Sequence, residues 1–173
     1  MLVGHSYGGA VITNAATGDP QVKALVYVDA FAPAQGQTIA QLLAAYPGSC
    51  AMPANLNVVP FPGAPSGVAD AYIKQSVFPS CMANGLPASE AHVLAATQLP
   101  LATIALTQQT GVADHPVMGR GRHRRPRHPP GVAACHGQHG ARPYHPGRRT
   151  APSMISNPGT VTNVILQAVR ATS

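Results

Sequence analysis

The stretch Leu2-Val3-Gly4-His5-Ser6-Tyr7-Gly8-Gly9 decides how this chain is read. Met1, Leu2 and Val3 form a short apolar stub. Ala10–Thr17 follows as a run of small and apolar residues able to pack closely as a helix, and Gly18-Asp19-Pro20 stops it with a glycine past the end and a proline just beyond. Ala24–Val28 is a continuous apolar run, the pattern of a strand buried on both faces. Asp29-Ala30-Phe31-Ala32-Pro33 leads out of it. The order is strand end, turn, helix, loop, strand, with a serine at the tip of the first turn.

A serine flanked by glycines two residues to either side, G-x-S-x-G, has a mechanical rationale. A residue at the tip of a sharp strand-to-helix turn sits in a strained backbone conformation, and the strand and helix can approach only if side chains are missing around it. Gly4 and Gly8 supply the gaps, with Gly9 a second glycine after them, and His5 before the serine reads as a partly buried, hydrogen-bonded histidine. Ser6 is expected to present its hydroxyl at the carboxyl edge of the sheet as a nucleophile. The Tyr7 amide N–H is expected to donate to an oxyanion there, helped by the positive end of the following helix.

Outward from this element, residues 34–107 read as short helices joined by loops rich in Pro, Gly and Asn. Helices are expected at Gln37–Tyr46, Gly67–Phe78 and Ser89–Thr97, the last capped by Ser89, with no clear strand among them. Such a segment suits a helical lid inserted between strands of a sheet, and equally a small irregular helical domain. Residues 153–173 regain ordinary composition, with a helix expected over Thr160–Val169 and Val161, Val164, Ile165 and Ala168 on one face.

Between them the composition changes. The chain of 173 residues has a net charge of +6, yet eight of its eleven basic residues lie between Arg120 and Arg149. Six of the eight histidines crowd the same neighbourhood: His115, His123, His128, His136, His139 and His145. Residues 108–152 hold few aliphatics and no period, so they are expected not to offset their ordering entropy. With 45% hydrophobic residues the rest can build a core. No apolar run reaches the ~18 residues of a membrane span. No basic start followed by an apolar run marks a signal peptide, and cytoplasmic placement is expected over export. Cys50, Cys81 and Cys135 have no metal-ligand spacing; Cys50 and Cys81 are read as reduced and partly buried, with a disulfide as the alternative.

Val3-Gly4-His5-Ser6-Tyr7-Gly8-Gly9, followed by Leu25-Val26-Tyr27-Val28-Asp29-Ala30-Phe31-Ala32-Pro33, resembles the α/β-hydrolase superfamily, and within it the small esterases related to plant methyl-ester esterases and hydroxynitrile lyases. The resemblance covers residues 1–112 and 153–173. It implies an α/β class, a partial α/β-hydrolase fold in which 1–33 carries the nucleophile elbow, 34–107 the lid and 153–173 a core helix. It also implies a Ser-His-Asp triad in the order Ser, Asp, His, an acyl-enzyme through Ser6, a small-molecule ester as substrate and no cofactor or metal.

The chain departs from that pattern in three ways. It starts in the last residues of the nucleophile strand, so the preceding strands and the second oxyanion donor are expected to be missing. The acid-bearing strand expected before residue 130 is replaced by the Arg/His tract. Thr150-Ala151-Pro152 stands where the histidine belongs. The genetic code suggests why. Met118-Gly119 must be encoded ATG GGN, which one nucleotide later reads as tryptophan. With suitable wobble bases the +1 frame of 114–130 gives an apolar strand and a loop bearing an aspartate, across Arg125 and Pro126. Ala151-Pro152 as GCA CCT gives a histidine. Residues 114–152 thus read as a family segment translated in the wrong frame, and the chain as an inactive hydrolase.

Other residues fit the missing roles less well. Asp114 and His115 lack a strand ahead of them, and Asp29 is read as a loop-capping aspartate before a triad acid. The rival class is a basic, nucleic-acid-binding or non-catalytic remnant protein. Arg-dense sequence attracts phosphate and loses it with salt, but with Tyr144 as the one interleaved aromatic no specific nucleic-acid module is recognised, and no membrane partner. Limited tryptic digestion is expected to cut first between Arg120 and Arg149; protection of those arginines would point to a packed domain there.

Overall fold

The structure, a computed structural model, describes residues 1–45, 49–111, 132–135 (backbone only) and 153–172. They fall into two units. The first contains the two ends of the chain, and the second is formed by residues 38–108.

In the first unit, β1 (Leu2–His5) runs into α1 (Gly8–Ala15), and β2 (Leu25–Val28) returns parallel to β1 with His5 opposite Val28. All four residues of β2 are buried. Because side chains alternate along a strand, Leu25 and Tyr27 join Ile12, Ala16, Val22 and Ala30 under α1. Val26 and Val28 meet Val161 and Ala168 on the other face. Burying one such aliphatic side chain contributes roughly 1.5–3 kcal/mol, and this strand is apolar throughout because both of its faces are core.

In the second unit, residues 38–108 hold α2 (Ile39–Ala45), β3 (Leu56–Val59), β4 (Asp70–Ile73), α3 (Phe78–Cys81), α4 (Ala88–Thr97), β5 (Leu101–Ala102) and α5 (Ile104–Thr107). This corrects the all-helical reading, since β3, β4 and β5 form an antiparallel sheet with β4 in the centre. The expected helix over Gly67–Phe78 is β4 instead. Its strand pairing is non-local and left no local period. Gly67 turns the chain into it with a φ of +78°. Beyond the two residues of β5 the Gln98 side chain continues the ladder, accepting from the Ile73 N–H and donating to the Ile73 carbonyl, both at 2.9 Å. The helix expected from Ser89 begins at Ala88, with Pro87 and not a serine hydroxyl before it. Cys50 and Cys81 are joined in a disulfide, which corrects the reduced reading. A loop closed over a separation of 31 residues gains on the order of 3–4 kcal/mol in a chain-entropy account.

The first unit closes around the place where the second leaves it. Gly36 N–H donates to the Thr110 carbonyl at 2.8 Å, and Thr110 N–H to the Gln37 carbonyl at 3.1 Å. The Thr110 hydroxyl donates to the same Gln37 carbonyl at 3.0 Å. Gly111 N–H then reaches the Asn14 side chain on α1 at 2.6 Å.

Four residues of the Arg/His tract form β6 (Val132–Cys135), parallel to β2 and opposite β1. The expectation of a tract without regular structure fails there. Val132-Ala133-Ala134-Cys135 is an apolar run, and a strand buried like β2 needs hydrogen-bond partners along both edges. Asp114, His115 and the tract's remaining candidates lie outside the described residues. The chain ends in α6 (Ser153–Ser156) and α7 (Pro158–Thr172), longer at both ends than the expected Thr160–Val169.

A buried relay ties α1 to β2. The Thr13 hydroxyl donates to the Gly9 carbonyl at 2.7 Å. Its single proton is thereby spent, so the Tyr27 hydroxyl, 2.6 Å away, is the donor to Thr13. Burial pushes the Tyr27 phenol above its ordinary value. The unfolded chain therefore ionises this phenol first. The stability it confers is complete below pH ~10 and is lost as pH rises further, at up to ~1.4 kcal/mol per unit. Tyr27→Phe is expected to flatten the fall in melting temperature above pH ~10, as read by circular dichroism melts across the alkaline range.

Candidate active site

Ser6 lies between the last residue of β1 and the start of α1, with a φ of 51°. A non-glycine residue held in this left-handed region costs of order 1–3 kcal/mol and persists only where its surroundings impose it. Here they do. The Ser6 carbonyl accepts from the Gly9 N–H at 3.1 Å and from the Phe31 N–H at 3.0 Å, which ties the turn to the loop leaving β2. Tyr7 follows in a helical conformation, and its carbonyl accepts from the Ala10 N–H at 2.9 Å. No side chain caps α1 and its first turn holds no acidic residue, so the helix brings its positive end to the turn. Among the described residues the Tyr7 N–H has no backbone acceptor. Ser6 itself is half-buried.

The glycines divide differently from their sequence symmetry. A Cβ on Gly4 would run into the Gly8 carbonyl and stand 2.9 Å from the Gly9 nitrogen. A Cβ on Gly9 would meet the Phe31 carbonyl and lie 2.8 Å from the Ala30 Cβ. A Cβ on Gly8 would meet nothing within 4 Å. Gly4 and Gly9 are thus the steric requirements of the turn, and the expectation that Gly8 must lack a side chain is corrected: strand and helix close on the elbow at Gly9, one residue later.

Asp29 leaves β2 beside Ser6, is buried, and has a φ of 44°. Its carboxylate accepts from the Ser153 N–H at 2.6 Å and from the Ser153 hydroxyl at 2.9 Å. Both oxygens accept from the first residue of α6. Of the other described carboxylates, Asp19 precedes β2, and Asp70 and Glu90 belong to the second unit. His5 sits half-buried on β1 next to Ser6 and His92 on α4. The remaining histidines, Asp114 and Thr150-Ala151-Pro152 lie outside the described residues.

Sequence reasoning missed Ser153 as the partner of Asp29, because nothing local marks a bond across a separation of 124 residues. It also missed a cavity of about 370 Å³ lined by residues such as Asn57, Tyr72, Lys74 and Gln98. That cavity belongs wholly to the second unit and holds no serine, cysteine or histidine. Among the described residues no group of three or more His, Cys, Asp or Glu side chains could hold a metal ion. No described helix is long and apolar enough to cross a membrane.

No family model matches the chain. A stretch of 44 residues, 25% of the chain, is 52% identical to a carbendazim hydrolyzing esterase of Nocardioides sp. (strain SG-4G). The match spans 18% of that protein's length, which points to an ester hydrolase and to no more than that.

The glycine geometry gives a direct test. Gly4→Ala and Gly9→Ala are each expected to destabilise the chain by about 2 kcal/mol or more, because the obstructing atoms are backbone. Gly8→Ala is expected to be neutral or to stabilise by up to ~1 kcal/mol, as alanine replaces glycine in a helix. Urea denaturation of the three variants checks the order.

Proposed function

We propose that this chain carries the nucleophile region of a serine carboxylic ester hydrolase of the α/β-hydrolase superfamily, a partial α/β fold, with Ser6 in the nucleophile position. As it stands the chain does not turn over. The observation that carries the reading is the left-handed Ser6 on a turn between a parallel strand and an uncapped helix. The partial match to an esterase supports it.

The chemistry such a turn serves is acyl transfer. The serine hydroxyl attacks the ester carbonyl while a base takes its proton. The tetrahedral oxyanion is held by the Tyr7 N–H and the end of α1, the alcohol departs, and water releases the acid from the acyl-enzyme. Gly4 and Gly9 leave the room the turn needs, and His5 leads into it. The step this chain cannot support is proton removal. Thr150-Ala151-Pro152 stands in the histidine's place, and Asp29 is committed to Ser153. A +1 reading of residues 114–152 supplies both missing groups, an aspartate and a histidine, which is why we attribute their loss to a shifted frame.

Removing triad members costs on the order of 10⁴–10⁶ in rate. The 173-residue chain is therefore expected to show no Ser6-dependent hydrolysis of nitrophenyl acetate, nor of carbendazim, the compound for which the relative is named. Rebuilding the gene in the +1 frame through 114–152 should restore turnover that Ser6→Ala abolishes. Turnover by the chain as it stands, lost in Ser6→Ala, would overturn the inactive reading and make a histidine of the tract the base.

A further inference from the structure

Among the described residues two non-glycine positions lie in the left-handed region, Ser6 and Asp29. They are neighbours. His5 and Val28 are register partners on β1 and β2, so the next residue on each strand leaves the sheet beside the other. Asp29 is the buried one, and both of its carboxylate oxygens are held by Ser153, at 2.6 and 2.9 Å. The two residues after it turn back under the elbow. The Phe31 N–H donates to the Ser6 carbonyl at 3.0 Å, and the Phe31 carbonyl and Ala30 Cβ fill the space against Gly9.

We propose that Asp29 is a positioning residue for Ser6: anchored on Ser153, its carboxylate fixes the kink that folds Ala30 and Phe31 against the elbow and so sets how Ser6 meets the start of α1. This rests on the reading of Ser6 as a nucleophile. An aspartate whose task was to cap α6 would need no left-handed backbone. Aspartate and asparagine are the side chains that tolerate that conformation and still offer an acceptor. The kink and the anchor are therefore one device, and the elbow is what the device touches.

Ser6→Cys makes the elbow a reporter, because a thiol reacts without a neighbouring base and its ionisation reads the local field. In the full chain with Cys135→Ser, iodoacetamide labelling of position 6 is followed in the tryptic peptide 1–23, which contains no cysteine of its own. Among the described residues, the protonating or charged groups around the position are His5 on β1, Tyr7 in the turn and Asp29 after β2. The first turn of α1 has no acidic residue, and α6 has no titratable side chain.

The pH midpoint of labelling is expected about one unit or more below that of the free peptide, since a helix N-terminus favours the thiolate. Asp29→Asn removes the charge and keeps the anchor and the kink, and should not raise the midpoint. Asp29→Gly keeps the kink's freedom and loses the anchor. Ser153→Pro removes both donors and leaves Asp29 in place, with proline tolerated at a first helical position. Both should raise the midpoint by about half a unit or more, back toward the ordinary thiol value. Ser153→Ala, the mildest change, should move it the same way by less.

Far-UV circular dichroism at the labelling temperature confirms that each variant is folded, and Ser153→Ala decides if the harsher ones are not. If the anchor variants lower the melting temperature and leave the midpoint where it was, Asp29 is merely structural and the proposal falls. If the midpoint of Ser6→Cys itself equals that of the free peptide, the nucleophile reading falls first and the proposal with it.

Discussion

β2 is covered on both faces, and the first unit is the set of consequences. A strand that puts Leu25 and Tyr27 against one layer and Val26 and Val28 against another cannot leave its backbone groups to water, so it needs a ladder on each edge. β1 supplies one and β6 the other. α1 and α7 supply the layers. Because β1 and β2 run parallel and in register, their carboxyl ends emerge together, and the two residues that follow them carry the strained conformations. The site is what a doubly buried strand leaves at its exit.

The polar groups in this core follow the same economy. Thr13 and Tyr27 enter an apolar layer, and each spends its hydroxyl proton on a partner, ending on the Gly9 carbonyl. Among the described residues no buried side-chain nitrogen or oxygen is left without a hydrogen-bond partner. The relay ends at one of the two glycines on which the elbow closes, so the layer that stabilises the sheet also holds the turn.

What could be read in the sequence was what is local. Gly4 to Gly9 and the apolar run before Asp29 carry their conformation in their own composition, and the turn at Ser6 and strand β2 lie where those residues suggest. Helix α2 was within reach of a 3.6-residue period for the same reason. β3, β4 and β5 were not, since each is four residues or fewer and is defined by partners far away in the chain. Gln98 completes their ladder with a side chain, which no periodicity registers. Gly8 and Gly9 are identical letters, and only the approach of Phe31 and Ala30 distinguishes them. The Cys50–Cys81 bond and the Asp29–Ser153 bond belong to the same class, pairs made by the fold across long separations.

The hydrogen bonds joining Gly36 and Gln37 to Thr110 have a consequence for how such a chain can diversify. A segment whose ends are already held together adds little closure entropy to its host, because that cost grows only with the logarithm of length. Residues 38–108 hang from a neck of this kind, and the neck is riveted through Gly111 to the helix behind Ser6. The two ends of residues 38–108 are thus fixed to each other from within the first unit, whatever length of chain runs between them. A change in that length would cost the junction little closure entropy.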